Sequence, residues 1–309
     1  MDDQKISMFQ AGVIFSASLF LFLVFSLLNP FEDFYIAGTV GELLPILMPP
    51  VAGLLIFKKS LSVNLKFNRL RIADGILVMT AAAFFMPFSM AVNALNMWLV
   101  KVVFGKNMSV EIPVPQDGGE LLISIIVIGV VAAVCEEILF RGVLQSSLEK
   151  LGKAGMFMLV SLLFAAFHFN IEQFMGLFVI SLFITYVVYR TNSIFAGMIA
   201  HFTNNSIAVL ISYLVASMPE QIMEQGQEAV MGTWLEIAVI GVVVILFSSV
   251  AAVLLYILHR RTAGTRTEIP AAIQLKSRDI VSFLPGAILM ALMFLITISA
   301  YIFIPAAGF

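Results

Sequence analysis

An all-α, polytopic transmembrane bundle of about nine spans, with a cytoplasmic N-terminus, is the fold class this sequence predicts. Three observations carry that expectation. First, 61% of the 309 residues are hydrophobic and only 12% are charged, against roughly 45–50% and about 25% in a soluble domain. A water-facing surface cannot be built from so few polar residues, so the bilayer is the solvent for most of the chain. Second, apolar runs of spanning length recur along the whole sequence. Third, the basic residues separate cleanly when alternate loops are assigned to opposite sides.

A spanning helix needs about 20 mostly apolar residues. Runs that meet this criterion fall at approximately 9–28, 43–57, 75–100, 121–145, 154–170, 173–189, 194–216, 235–258 and 280–304. The second is short and contains Pro45, Pro49 and Pro50, and the fifth and sixth are separated by a tight turn near Asn170. The first run lacks a small-residue cleavage site and reads as a retained helix rather than a signal peptide.

With the N-terminus inside, the inner loops hold Lys5, Lys58, Lys59, Lys66, Arg69, Arg71, Lys150, Lys153, Arg190, Arg260, Arg261, Arg266, Lys276 and Arg278. The outer loops hold Lys101 and Lys106 and collect the acids Glu32, Asp33, Glu42, Glu220, Glu224 and Glu228. Miscounting one helix would scramble this division, which supports an odd number of spans. No internal repeat or low-complexity segment is visible. The chain divides into N-terminal helices (1–120), a central segment (121–216) and C-terminal helices with a basic loop (217–309).

The net charge of −2 gives no electrostatic case for nucleic-acid binding. The single cysteine, Cys135, excludes an internal disulfide and reads as a small buried hydrophobe. The expected partners are the lipid bilayer and a membrane-embedded or membrane-tethered peptide. The expected location is a bacterial plasma membrane.

A charge near the bilayer centre is unfavourable by about 2.5–3.5 kcal/mol on insertion scales, so ionisable groups inside spans are functional candidates by default. Here they are Glu136, Glu137, Arg141, His168 and His201. Glu137 and Arg141 are four apart and share a helix face, so they can pair. Glu136 is rotated by about 100° from Glu137 and is left available as a general base or acid. His201 and Asn205, also four apart, face one way. By helical rise, Glu136, His168, His201 and Asn205 lie about 14, 21, 11 and 17 Å from the cytoplasmic ends of their spans. Three separate helices thus put their polar residues in one slab, which is the pattern of a site.

Glu136-Glu137-x-x-x-Arg141, then Phe164-x-x-x-His168, then His201-x-x-x-Asn205, resemble the three ordered motifs of the CPBP family, the CAAX-protease and bacteriocin-processing (Abi) intramembrane endopeptidases. The resemblance covers residues 121–215. It implies peptide-bond hydrolysis, with Glu136 activating water, His168 holding that water, and His201 and Asn205 stabilising the oxyanion. Glu137 and Arg141 correspond to supporting residues. No metal is required in that reading. The alternative, a metalloendopeptidase, takes Glu136, His168 and His201 as zinc ligands, a legitimate catalytic set. No Gly-x-Ser-x-Gly, His-Glu-x-x-His or intramembrane aspartate pair is present. A proton-coupled transporter and a non-catalytic immunity or scaffold protein are the competing functional classes.

Overall fold

The computed structural model describes residues 4–108, 113–218, 234–264, 269 and 276–303. Glu220, Glu224, Glu228 and Arg266, assigned to loops above, lie outside the described residues. Among the described residues there are helices and no strands.

Among the described residues, eight helical segments are long and apolar enough to cross a membrane. The fourth, Gly118–Phe167, has 50 residues. Such a helix would rise about 75 Å if straight, more than twice the hydrocarbon thickness of about 30 Å. It instead folds back at Gly152, where φ is 74°, a left-handed value that suits glycine. The rings of Phe140 and Phe164 meet at 5.1 Å, each twelve residues from that turn. Glu136 and His168 face each other, each sixteen residues from it. The segment is therefore an antiparallel hairpin, and dividing it there gives nine passes among the described residues, in keeping with the sequence expectation of about nine.

We number the passes α1 (Met8–Leu28), α2 (Phe34–Ile56), α3 (Ile72–Phe104), α4 (118–148), α5 (Gly152–Phe167), α6 (Phe174–Thr191), α7 (Ile194–Ala216), α8 (Trp234–Arg261) and α9 (Ser277–Phe303). Local chemistry sets their ends. Ser7 and Gln10 form a capping box on α1. Asp33 accepts from the Ile36 amide at 2.8 Å at the start of α2. Asn192, in the left-handed region, turns α6 into α7.

The second pass differs from its sequence assignment. It starts at Phe34 rather than near residue 43, so Glu42 lies inside a helix and not in an outer loop. Pro45 does not end it, because a π-helical stretch over Leu43–Leu47 carries the helix past the missing amide.

The loops predicted to share one side do gather at one end of the bundle. Lys66 bridges to Glu149 at 3.5 Å, and its carbonyl accepts from the Ile194 amide at 3.1 Å. Arg190 donates to the His259 carbonyl at 2.7 Å, and Arg261 pairs with Asp74 at 2.6 Å.

Two apolar clusters form the interior. One joins α1, α2, α4 and α5, and the other joins α3, α6, α7 and α8. Cys135 belongs to the first and is 1% exposed, as a small hydrophobe should be. The helices α4 and α7, which carry two of the three motifs, meet where these clusters adjoin.

Candidate active site

The segment of α4 around Glu136 and Glu137 is a short α-helical stretch, Ala132–Glu137, between two π-helical ones, Ile125–Val131 and Ile138–Leu144. Such bulges are frequent at functional sites because the extra residue re-aims the side chains beyond it. Here the two glutamates diverge.

Glu137 is fully buried. Its Oε1 accepts from Arg141 Nη1 at 2.9 Å and from His201 Nδ1 at 3.0 Å. Arg141, also fully buried, uses Nη2 to donate to the Ser181 hydroxyl at 2.8 Å and to the Ser181 carbonyl at 3.3 Å. Breaking such a pair leaves an uncompensated buried charge, so each member holds the others in place. Gly197 makes room for it: a Cβ there would overlap Glu137 Oε2. The pairing of Glu137 with Arg141 matches the sequence expectation. His201 joins the same carboxylate, a contact that sequence spacing does not reveal.

Glu136 lies on the other side, facing a cavity of about 240 Å³. Its Oε2 is buried without a hydrogen bond and is 4.0 Å from His168 Nε2. His168 Nδ1 donates to the Phe164 carbonyl at 2.9 Å. A carbonyl can only accept, so the proton is on Nδ1, and neutral His168 offers a lone pair at Nε2. Two acceptors 4.0 Å apart can each receive a hydrogen bond of about 2.8 Å from one water. That water would give one proton to each and turn its own lone pair outward.

Asn205 lines the same cavity. Its Nδ2 donates to the Ile128 carbonyl at 2.9 Å, and its Oδ1 accepts from Asn204 at 3.2 Å. The amide is thereby oriented with one Nδ2 proton still unused. Phe164 ties the two sides together. Its ring is 4.9 Å from that of His168 and 5.8 Å from that of His201, with the Arg141 guanidinium 4.6 Å above it. The aromatic residue of the second motif thus has a packing role between the other two.

Of the four sequence candidates, Glu136, His168 and Asn205 line one cavity, whereas His201 does not line it and is buried against Glu137. Glu42 is the residue that sequence reasoning missed. It lines the cavity opposite Glu136, and its Oε2 is likewise buried and unpartnered. The available signal was Asp33, a good helix cap directly before an apolar run.

Catalytic zinc holds its ligands at about 2.0–2.2 Å. Among the described residues, no three His, Cys, Asp or Glu side chains are grouped so that they could hold a metal ion. Glu136, His168 and His201 do not form such a set.

Residues 118–207 match the family described as Type II CAAX prenyl endopeptidase Rce1-like. The comparison with curated proteins and that with solved structures give no match. The family match covers the three motifs and supports the CPBP resemblance and a membrane endopeptidase of the CAAX-protease kind.

Proposed function

We propose that the chain is an intramembrane endopeptidase that hydrolyses a peptide bond with a water activated jointly by Glu136 and His168. The observation that carries this reading is the pair of acceptors, Glu136 Oε2 and His168 Nε2, 4.0 Å apart at a cavity that Asn205 also lines. The water oxygen attacks the peptide carbonyl carbon while its proton passes to Glu136 or His168. The developing oxyanion accepts from the free Nδ2 proton of Asn205. His201, one helical turn from Asn205, has its Nδ1 engaged with the Glu137 carboxylate and so ties α7 to α4 beside that donor. Collapse of the tetrahedral intermediate breaks the carbon–nitrogen bond, and the proton returns to the leaving amine. Glu42, across the cavity from Glu136, assists that return.

No step here is routed through a metal, and no covalent acyl-enzyme forms. The substrate class is a membrane-tethered peptide; a prenylated C-terminal peptide is the first probe because the matched family is described as a prenyl endopeptidase. The membrane side of the basic loops is taken as cytoplasmic from their charge.

The test is Glu136→Gln in the purified full-length protein, assayed for cleavage of a farnesylated peptide. The rate should fall by about 10²–10⁴, the usual range for a general base, with thermal stability retained. Undiminished cleavage would remove Glu136 from the chemistry. Solute uptake by proteoliposomes with no cleavage of any tethered peptide would favour the transporter reading instead. Metal analysis of the active protein addresses the zinc alternative.

A further inference from the structure

A second cavity lies between the start of α3 and a different face of α7. Its volume is about 620 Å³, and its lining includes Arg69, Arg71, Ile76, Met79, Ile199 and Phe202. Ile199 and Phe202 sit on a face of α7 about 100° from the one that bears His201 and Asn205. The cavity is thus separate from the one containing Glu136, and the two share no lining residue.

Its chemistry is split along its length. Arg69 and Arg71 sit in the loop just before Ile72, the first residue of α3. The other lining side chains are apolar. From Ile72 to Met79 the helix rises about 10 Å, so the groove runs from the end of a span into its hydrocarbon depth. Both arginines are exposed, and neither side chain has a hydrogen-bond or ion-pair partner among the described residues. Four other basic side chains are engaged: Arg141 with Glu137, Arg261 with Asp74, Arg190 with the His259 carbonyl, and Lys66 with Glu149. Asp74, the acid in the first turn of α3, is taken by Arg261 at 2.6 Å and does not neutralise the pair.

We infer that this groove binds an anionic phospholipid, with its phosphate held by Arg69 and Arg71 and an acyl chain along Ile76, Met79, Ile199 and Phe202. Guanidinium groups match phosphate oxygens in a two-pronged geometry. Basic pockets between spanning helices at this level of the bilayer suit anionic headgroups. A soluble phosphate would satisfy the arginines but leave the apolar length of the groove unfilled. A neutral lipid would fill the groove but leave the arginines unmatched. The inference does not depend on the protease reading, because no residue of the Glu136 cavity takes part.

The test titrates the full-length protein in mixed micelles with phosphatidylglycerol or phosphatidylcholine of identical acyl chains and counts bound lipid by native mass spectrometry. At about fivefold per arginine, phosphatidylglycerol should bind about 25-fold more tightly. Arg69→Gln combined with Arg71→Gln should abolish that preference, and Ile76→Trp, which fills the groove, should weaken binding of both lipids. The arginines have no partners to lose, so their variants should fold. The inference is overturned if the double variant keeps the preference or if Ile76→Trp binds both lipids as wild type does. It is also overturned if inorganic phosphate or a farnesylated peptide displaces the bound phosphatidylglycerol, since the groove would then be a simple anion site or a substrate site.

Discussion

Glu136 and Glu137 are neighbours in the chain, yet one carboxylate faces a cavity of about 240 Å³ and the other is sealed between Arg141 and His201. The difference follows from the 100° turn between adjacent helical residues and from what each face meets. Glu137 points at α6 and α7, where Ser181, Gly197 and His201 supply partners and space. Glu136 points at α2 and the end of α5, where Glu42 and His168 leave its outer oxygen without a hydrogen bond. A satisfied carboxylate in a membrane protein is a rivet. An unsatisfied one beside a cavity keeps an oxygen open to accept a hydrogen bond from whatever enters, which is why the proposed mechanism starts there.

That contrast can be broken most severely at the rivet. Glu137→Ala leaves Arg141 buried without its counter-ion and should destabilise the protein by about 3–5 kcal/mol, read as thermal unfolding in detergent. Unchanged stability with lost cleavage would move Glu137 into the chemistry. Asn205→Ala should lower kcat by about 10²–10³, the usual effect of deleting one oxyanion donor, with a smaller effect on unfolding of about 1 kcal/mol from the lost bond to the Ile128 carbonyl. A loss of stability with kcat and KM both untouched would make it a packing residue. Gly197→Ala forces Glu137 to shift and should cost about 1–3 kcal/mol, as overpacking usually does; calorimetry of the variant checks this. The smallest effect is expected from Glu42→Gln, about a tenfold drop in kcat, below the range of a principal general base. A drop as large as that of Glu136→Gln would make the two carboxylates equal partners.

The C-terminal helices extend the comparison. Their apolar windows are only 6% and 17% buried, against 39% for the segment α4–α5 and 44% for α6. Helix α8 packs on α3 and α9 on α1, at the edge of the bundle and away from the motif residues. Ionisable groups are held where neighbouring helices shield and pair them, and the most lipid-exposed helices carry none in the middle of their spans.

Much of the fold is legible in the sequence because spanning length and loop charge are local quantities. The nine apolar runs and the odd number of passes follow from counting, and the turn at Gly152 only requires a glycine where two runs must reverse. The pairing of Glu137 with Arg141 is also local, since a four-residue spacing on one helix brings them together. Glu42 escaped that reading because Pro45, Pro49 and Pro50 suggest a broken span. The π-helical stretch over Leu43–Leu47 carries the helix past Pro45.

By itself the sequence determined which groups are chemically available within the bilayer: two adjacent glutamates, an arginine, two histidines and an asparagine on three helices. Only the tertiary structure decided their division into a sealed network and an open cavity. It put His201 on Glu137, set Glu42 across from Glu136, and fixed the His168 proton on the nitrogen facing the Phe164 carbonyl. The physical reason is that periodicity fixes where a side chain points around its own helix, whereas a partner's identity depends on which helix packs against that face.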